Sequence, residues 1–367
     1  MPLPRNRPHC GVCAQPLAKN GTTSSGRTRW RCLTCGASTT RSRATELTQA
    51  RAFQRWITGK ASQAELATEL RISPRTLRRR FEPLWSLVPR PVRTGEIHPV
   101  LGLDGIWLER TTVCLIASTP SGIVVNWVWA RAETRASWQD LIEGLPAPEY
   151  VVIDGAGGMR SALSTMWPST KVQRCLFHVH ASVRRHLTSR PRLPAGRELF
   201  ALSTAVGRLN TPEQARAWTL ELQDWNQRWG RFLQERTRYP DGTVGFTHER
   251  LRRARHALNS VVGNGTAFTY LADRRVPRTT SWHEGGINAQ LRALLRLHRG
   301  MPLAHRMRAL DWWLALHGPA PLNLKELLMT SRPVPDVPET DAQMWEATGR
   351  PMTYGTGWQR YEPAEEG

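Results

Sequence analysis

Two aspartates stand inside otherwise apolar runs: Asp104 in Leu101-Gly102-Leu103-Asp104-Gly105-Ile106, and Asp154 closing Val151-Val152-Ile153-Asp154-Gly155. A carboxylate set into an apolar strand carries a desolvation cost that a cation relieves. A third acid, Glu284, lies in Thr279-Thr280-Ser281-Trp282-His283-Glu284-Gly285-Gly286-Ile287-Asn288, on a helical face shared with Ile287, Asn288 and Leu291. Three carboxylates with open coordination suit Mg²⁺, or Mn²⁺ in its place. Two such ions ~3.5–4 Å apart activate a water or 3′-hydroxyl on one side of a phosphodiester and stabilise the leaving oxygen on the other. Taken singly, an Asp-Gly pair also reads as a turn.

Four of the six cysteines form Cys10-x2-Cys13 and Cys32-x2-Cys35. Two such knuckles with 18 residues between them have the spacing of a four-thiolate zinc site, a structural site with no open position. Gly11 and Gly36 supply the turns, and the polar stretch Gly21 to Arg29 completes a small zinc ribbon. A pair of disulfides is the alternative, but nothing else in the sequence points to an oxidising compartment.

Next comes Ser62-Gln63-Ala64-Glu65-Leu66-Ala67 and, seven residues after Leu66, Ser73-Pro74-Arg75-Thr76-Leu77-Arg78-Arg79-Arg80-Phe81. Ser62 with Glu65 is a capping box, and Ser73 followed by Pro74 starts a second helix. Leu66, Leu70, Ile72, Leu77 and Phe81 share a core, which leaves Arg75, Thr76, Arg78 and Arg79 outside. The spacing predicts a helix-turn-helix whose second helix enters a DNA major groove. A helical hairpin with a solvated basic face is the plainer reading.

The elements that must position the acids follow a Pro-containing linker, 89–98. Val100–Leu108, Thr111–Thr119 and Ile123–Ala130 read as a β-meander, Thr134–Leu145 as a helix, Tyr150–Ile153 as a buried strand, Met159–Met166 as a helix and Lys171–Phe177 as a strand. That order is the order of an α/β RNase H-like core, in which the first and fourth strands are neighbours and Asp104 meets Asp154. The expected organisation is a zinc ribbon over 1–42, a helix-turn-helix domain over 43–88, and the first part of the core over 99–186. An all-helical insertion over 187–278, the Glu284 helix and end of the core over 279–317, and a poorly ordered tail over 318–367 complete it. Within the insertion, Trp218, Trp225 and Trp229 form a stripe that reads as core rather than as a base-stacking surface.

Lys and Arg total 51 against 30 Asp and Glu in 367 residues, a formal charge of +21. Only four are Lys, so a GC-rich genome contributes to the Arg count. Even so, an excess of this size attracts polyanions, nucleic acid first. The N-terminal residues lack the apolar core of a signal peptide, and no apolar run approaches the ~20 residues of a spanning helix. A cytoplasmic, nucleoid-associated protein with no membrane partner is expected.

From about Pro99 to Trp313 the chain resembles bacterial insertion-sequence transposases of the Mutator-like superfamily. These belong to the DDE class and have an RNase H-like core, and the likeness is to the subgroup with an N-terminal zinc ribbon. The resemblance rests on the two Asp-Gly strands, on Arg174-Cys175-Leu176-Phe177-His178, and on Thr279-x4-Glu284-x3-Asn288-x3-Arg292, with His298-Arg299-Gly300-Met301 and Trp312-Trp313 beyond. It implies that Asp104, Asp154 and Glu284 bind the catalytic metals and that His178 lies near the scissile phosphate. Cys175, Asn288 and Arg292 then support the site. Ser281-Trp282-His283 departs from relatives that carry Asn there. The implied activity is Mg²⁺-dependent cleavage at element ends and transfer of the 3′-hydroxyls into target DNA. Double-stranded DNA, as terminal inverted repeats and target, is the implied partner, bound by a homodimer or larger assembly. A catalytically silent DNA-binding regulator and a nuclease without strand transfer are the rival readings.

Overall fold

The structure is a computed structural model that describes residues 7–10, 12–24, 26–40 and 43–330. Met1–Arg5, Gly11 and most of the expected tail, 331–367, lie outside the described residues. The chain divides into two compact units. One comprises residues up to Arg90 with Leu294–Leu316 and 321–330; the other comprises Pro91–Ala293 with His317–Ala320.

In the first unit, β1 (Leu17–Thr22), β2 (Thr28–Cys32) and β3 (Ser38–Thr39) form an antiparallel sheet in that order. Leu17 pairs with Cys32, and both are buried beside Cys10. Three helices follow, α1 (Arg43–Ile57), α2 (Gln63–Glu69) and α3 (Pro74–Phe81). Both halves of the capping box at α2 form: Glu65 N–H donates to Ser62 Oγ at 3.2 Å, and Ser62 N–H donates to Glu65 Oε2 at 2.7 Å. Such a cap contributes about 1 kcal/mol. Between the helices Arg71 takes φ 52°, the left-handed turn that lets α3 fold back. The core of the unit is aromatic. Phe53 meets Phe81 at 5.2 Å and Trp312, from the helix Leu303–Leu316, at 5.5 Å, both edge to face. Part of the stretch expected as tail is also ordered, in the helix Leu324–Thr330.

The second unit is built on five strands: β4 (Val100–Leu108), β5 (Thr112–Ser118), β6 (Val124–Ala130), β7 (Tyr150–Ile153) and β8 (Lys171–Arg174). Their order in the sheet is β6-β5-β4-β7-β8. The meander pairs are antiparallel, and β4–β7 and β7–β8 are parallel. Alternation along the strands sends side chains to two cores. Leu101, Leu103, Val151 and Ile153 pack with Trp138, Leu141 and Met159 of α4 (Arg135–Ile142) and α5 (Gly157–Met166). Val100, Tyr150 and Val152 pack on the other face against α6 (Leu176–Leu187) and the residues beyond it.

Beyond α6 the chain forms α7 (Pro194–Ala205), α8 (Pro212–Trp229), β9 (Arg236–Arg238), β10 (Val244–Phe246) and α9 (Glu249–Gly263). The stretch expected to be all helical therefore contains a two-stranded ribbon. Its cause is local: Gly242 takes φ 84° in the Tyr239-Pro240-Asp241-Gly242 turn, and Asp241 accepts from the Thr243 N–H at 2.9 Å. Arg236 and Arg252 then stack on Phe246 at 3.8 and 3.4 Å. Trp218 and Trp225 of the tryptophan stripe are core, and Trp229 packs half-buried against it. The Trp218 and Trp225 indoles donate to Leu202 and Ala195 carbonyls at 2.9 and 3.0 Å, and Trp229 donates to Glu198 at 2.9 Å.

Two further expectations are corrected. The strand expected through Phe177 stops at Arg174; Cys175 sits at the N-cap of α6, so Phe177 and His178 are helical. The helix expected from Ser281 opens as a π-helix, Trp282–Asn288, before α10 (Ala289–Leu297). Two consecutive side chains there bond one hydroxyl: Trp282 Nε1 donates to Ser118 Oγ at 3.1 Å, and His283 Nε2 lies 3.0 Å from the same oxygen. Gly102 makes room, because a Cβ there would overlap the Trp282 ring.

Candidate active site

The β4–β7 register pairs Leu103 with Ile153, so Asp104, within β4, and Asp154, the first residue past β7, both stand one position beyond that pair. Asp104 Oδ1 accepts from the Gly105 N–H at 2.9 Å, and Oδ2 accepts from Asn288 Nδ2 at 2.9 Å. Burial, and then the Asp154 charge, push the Asp104 carboxyl up to about 8. No Lys or Arg pairs with Asp104 among the described residues. Asp154 directly follows β7 and accepts from the Ala156 N–H at 3.0 Å, which fixes the turn into α5. The Arg174 guanidinium covers Gly155, and burial lowers its pKa.

Glu284 projects from the π-helix, half-buried, and lies 2.9 Å from His178 Nε2. The hydrogen bond to His178 holds the Glu284 carboxyl low, with the Arg292 charge adding to the effect. Burial pulls His178 down, but the Cys175 sulfur, Glu284 and Asp154 outweigh it and raise the imidazole to about 11. Cys175 is buried and accepts from Thr280 N and Oγ1, each at 3.3 Å. Burial raises its thiol, and His178 and Thr280 together bring it below its ordinary value. Sequence segments more than a hundred residues apart therefore meet at one point, with His178 bridging α6 to the third acid.

The three acids share one end of the sheet without closing on a common point. Among the described residues, the four cysteines alone form a group of three or more ligands whose atoms lie within 4.8 Å of one another. Glu284 is instead drawn to His178. The donor set still suits a hard divalent cation. It is made of oxygens, Asp104 carries a charge that burial opposes, and Asn288 Oδ1 is buried with no hydrogen-bond partner.

Glu133, in the β6–α4 connection, also faces this site, and the sequence gives no sign of it. Trp107 Nε1 donates to its Oε1 at 2.9 Å. Burial, and then the Asp154 charge, push its carboxyl up to about 7. The residue is flanked by polar loop residues rather than by an apolar run, so the signal that exposes Asp104 and Asp154 is missing.

In the other unit, Cys10 Sγ lies 3.4 Å from Cys35 Sγ, and Cys13 Sγ lies 3.4 Å from Cys32 Sγ, with no disulfide among them. Four thiolates around tetrahedral zinc stand ~3.8 Å apart, given Zn–S bonds of about 2.3 Å. The cluster therefore fits a zinc ion with little movement. Gly36 takes φ 75°, as the second knuckle requires. Amide donation from Cys35 lowers the Cys32 thiol to about 6; Gln15 lowers Cys13, but proton sharing with Cys32 drives it up to about 12.

On α3, Arg75, Arg78 and Arg79 are exposed, while Leu77 and Phe81 are buried. Thr76 differs from them: its hydroxyl lies 2.9 Å from Ser73 Oγ, and its N–H donates to that oxygen at 3.1 Å, so it completes the cap.

A mixed five-stranded sheet that gathers acids from strands and a distant helix at one end defines an α/β domain with a candidate acidic active site. Residues 120–230 match the family model "Transposase, Mutator family". That segment holds Asp154 and His178; Asp104 and Glu284 flank it. A transposase for insertion sequence element IS905 of Lactococcus lactis is 35% identical over 97 residues, 22% of this chain and 25% of that protein. A transposase for insertion sequence element IS6120 of Mycolicibacterium smegmatis is 41% identical over 56 residues, 14% of this chain and 17% of that protein. The matches thus span a quarter or less of these relatives' lengths. No described helix is long and apolar enough to cross a membrane.

Proposed function

We propose that this protein is a DDE transposase acting on double-stranded DNA. It would cleave element ends in the presence of Mg²⁺ or Mn²⁺ and join the freed 3′-hydroxyls to target DNA. The observation that carries the reading is Asp104 on β4 beside Asp154, which directly follows the parallel strand β7, with Asn288 of the Glu284 segment bonded to Asp104, in a chain whose residues 120–230 match a Mutator-family transposase model. The strand order, with the first and fourth strands central, fits an RNase H-like core. The region 187–278 is then an insertion in that core.

Asp104, Asp154 and Glu284 would hold the divalent ions, with Asn288 orienting Asp104. Ions bound there would lower the pKa of an attacking water or hydroxyl and neutralise charge on the phosphodiester. His178, kept protonated by Cys175, Glu284 and Asp154, would donate to a phosphate oxygen as negative charge develops. Cys175, anchored by Thr280, fixes the start of α6 and so the position of His178. Arg292 adds positive charge near Glu284. The four cysteines would hold structural zinc, and α2 and α3 would form a helix-turn-helix that presents Arg75, Arg78 and Arg79 to terminal repeats. Strand transfer at two ends implies a dimer or larger assembly on DNA.

The test uses purified protein, the DNA flanking its own gene and Mg²⁺, scored for 3′-end cleavage and joined products beside Asp154→Asn. Joined products from the wild type alone support the reading. Cleavage without joining replaces it with a nuclease, and binding without cleavage replaces it with a DNA-binding regulator.

A further inference from the structure

Glu133 stands beside the acidic site with no role in the reading above. Its position is fixed by what the neighbouring residues lack. Gly105 follows Asp104 directly, and a Cβ there would lie 3.2 Å from Glu133 Oε1. The Glu133 carboxylate therefore rests against β4 at the residue after Asp104, on the sheet face that carries Trp107, while Asp104 turns to Asn288 on the other face. Gly158, in the first turn of α5 after Asp154, admits the loop from the other side. A Cβ at Gly158 would come within 2.6 Å of the Glu133 carbonyl oxygen and 2.9 Å of the Arg135 nitrogen. The loop is thus wedged between the residue after Asp104 and the helix that begins after Asp154.

The side chain is held as well as placed, since Trp107 Nε1 binds Oε1 at 2.9 Å. No Lys or Arg pairs with it among the described residues. A half-buried acid fixed by one donor and set near the Asp154 charge gains from a cation. The raised pKa of Glu133 is consistent with that shortfall of positive charge. The second sign of a cation site is independent of the carboxylates: Asn288 is 1% exposed, and its Oδ1 has no partner while its Nδ2 binds Asp104.

We infer that Glu133 is a fourth carboxylate of the divalent-cation site, reaching over Gly105 to hold the cation, or a water in its shell, with Asp104 and Asp154. The inference rests on the reading of those two aspartates as cation ligands. The competing role is structural, with Glu133 serving only to accept the Trp107 indole proton. Glu133→Gln separates the two, because a glutamine carbonyl accepts that hydrogen bond and carries no charge.

The experiment measures Mn²⁺ binding to the purified full-length chain, expressed with zinc and free of DNA, by the loss of the free Mn²⁺ electron paramagnetic resonance signal. Glu133→Gln should weaken Mn²⁺ binding about tenfold, with the metal-free melting temperature unchanged or raised. Glu133→Asp, which keeps the charge and shortens the reach, should fall between it and the wild type. Equal Mn²⁺ affinity in Glu133→Gln and wild type, with Asp104→Asn weakened, removes Glu133 from the site. Equal affinity in all three removes the cation reading of Asp104, and Glu133 with it.

Discussion

Asn288 Nδ2 donates to Asp104 Oδ2 at 2.9 Å, a hydrogen bond between residues 184 apart in the chain. It ties the first acid on β4 to the segment that carries the third. Asp104 is raised to about 8 by burial and by Asp154, with His178 and the Gly105 amide opposing, and the Asn288 amide is a further donor that fixes the orientation of its carboxylate. Asn288→Ala should therefore lower Mg²⁺-dependent end cleavage by ~10–100-fold, the usual loss when a group that orients a metal ligand is removed. Gel-shift affinity for the repeats should stay at the wild-type level. Full cleavage by Asn288→Ala would show that Asp104 needs no orientation from this residue.

His283 predicts a pH dependence of stability. It is fully buried, and burial lowers its pKa to about 4 against an ordinary value near 6.5, with the Gly102 backbone and Glu284 opposing. Between those values the unfolded chain holds a proton that the native imidazole lacks, so stability rises with pH across that window. On acidification from neutrality, about 3 kcal/mol is lost by the time pH reaches the native value. Urea unfolding at neutral pH and at about pH 5 should show a smaller pH effect in His283→Gln than in the wild type. Equal pH effects in both would mean that His283 is protonated in the native state.

What the residues disclose in advance follows from how strongly each is constrained. Asp104 and Asp154 are legible because apolar neighbours on both sides leave a carboxylate little reason to be there except chemistry. Cys10, Cys13, Cys32 and Cys35 are legible because their spacing alone brings four sulfurs together. Glu133 is hidden, since its role depends on Gly105 and Gly158 admitting a loop, a tertiary fact without local pattern. The π-helix is hidden for a similar reason: Ser118, which bonds both Trp282 and His283, lies 164 and 165 residues away. The ribbon at Arg236–Phe246 is too short to give a periodic signal, and only the Pro-Asp-Gly turn marks it.

The cysteine cluster predicts one zinc per chain. Structural zinc sites contribute about 10–16 kcal/mol of apparent binding free energy, and that energy drives folding. The β1–β3 sheet has little else, because its buried cluster consists of Leu17 with two of the cysteines. Cys32→Ser should bind no stoichiometric zinc by metal analysis and should lose protease resistance ahead of about residue 40. Cleavage at pre-nicked element ends should suffer less than repeat binding. A Cys32→Ser protein that keeps both zinc and resistance would leave the cluster without a structural role.

The exposed arginines of α3 divide into those that position the helix and those that read sequence, and salt separates them. Removing an arginine that neutralises one phosphate changes the slope of log affinity against log salt by about 0.9 and weakens all DNA alike. Removing one that bonds a base edge relaxes preference at a single position instead. Arg78 Nε lies 3.4 Å from the Pro74 carbonyl, a long and weak bond, so its guanidinium is available to DNA. Arg75 and Arg79 are exposed on the same short helix. Arg78→Ala and Arg79→Ala should each weaken repeat binding with no change in Mn²⁺ affinity at the acidic site. Thr76→Ala keeps the backbone bond to Ser73 and loses only the hydroxyl contact, costing about 0.5–1.5 kcal/mol of stability at most. If both arginine variants bind the repeats as tightly as the wild type at every salt concentration, α3 is not the recognition helix.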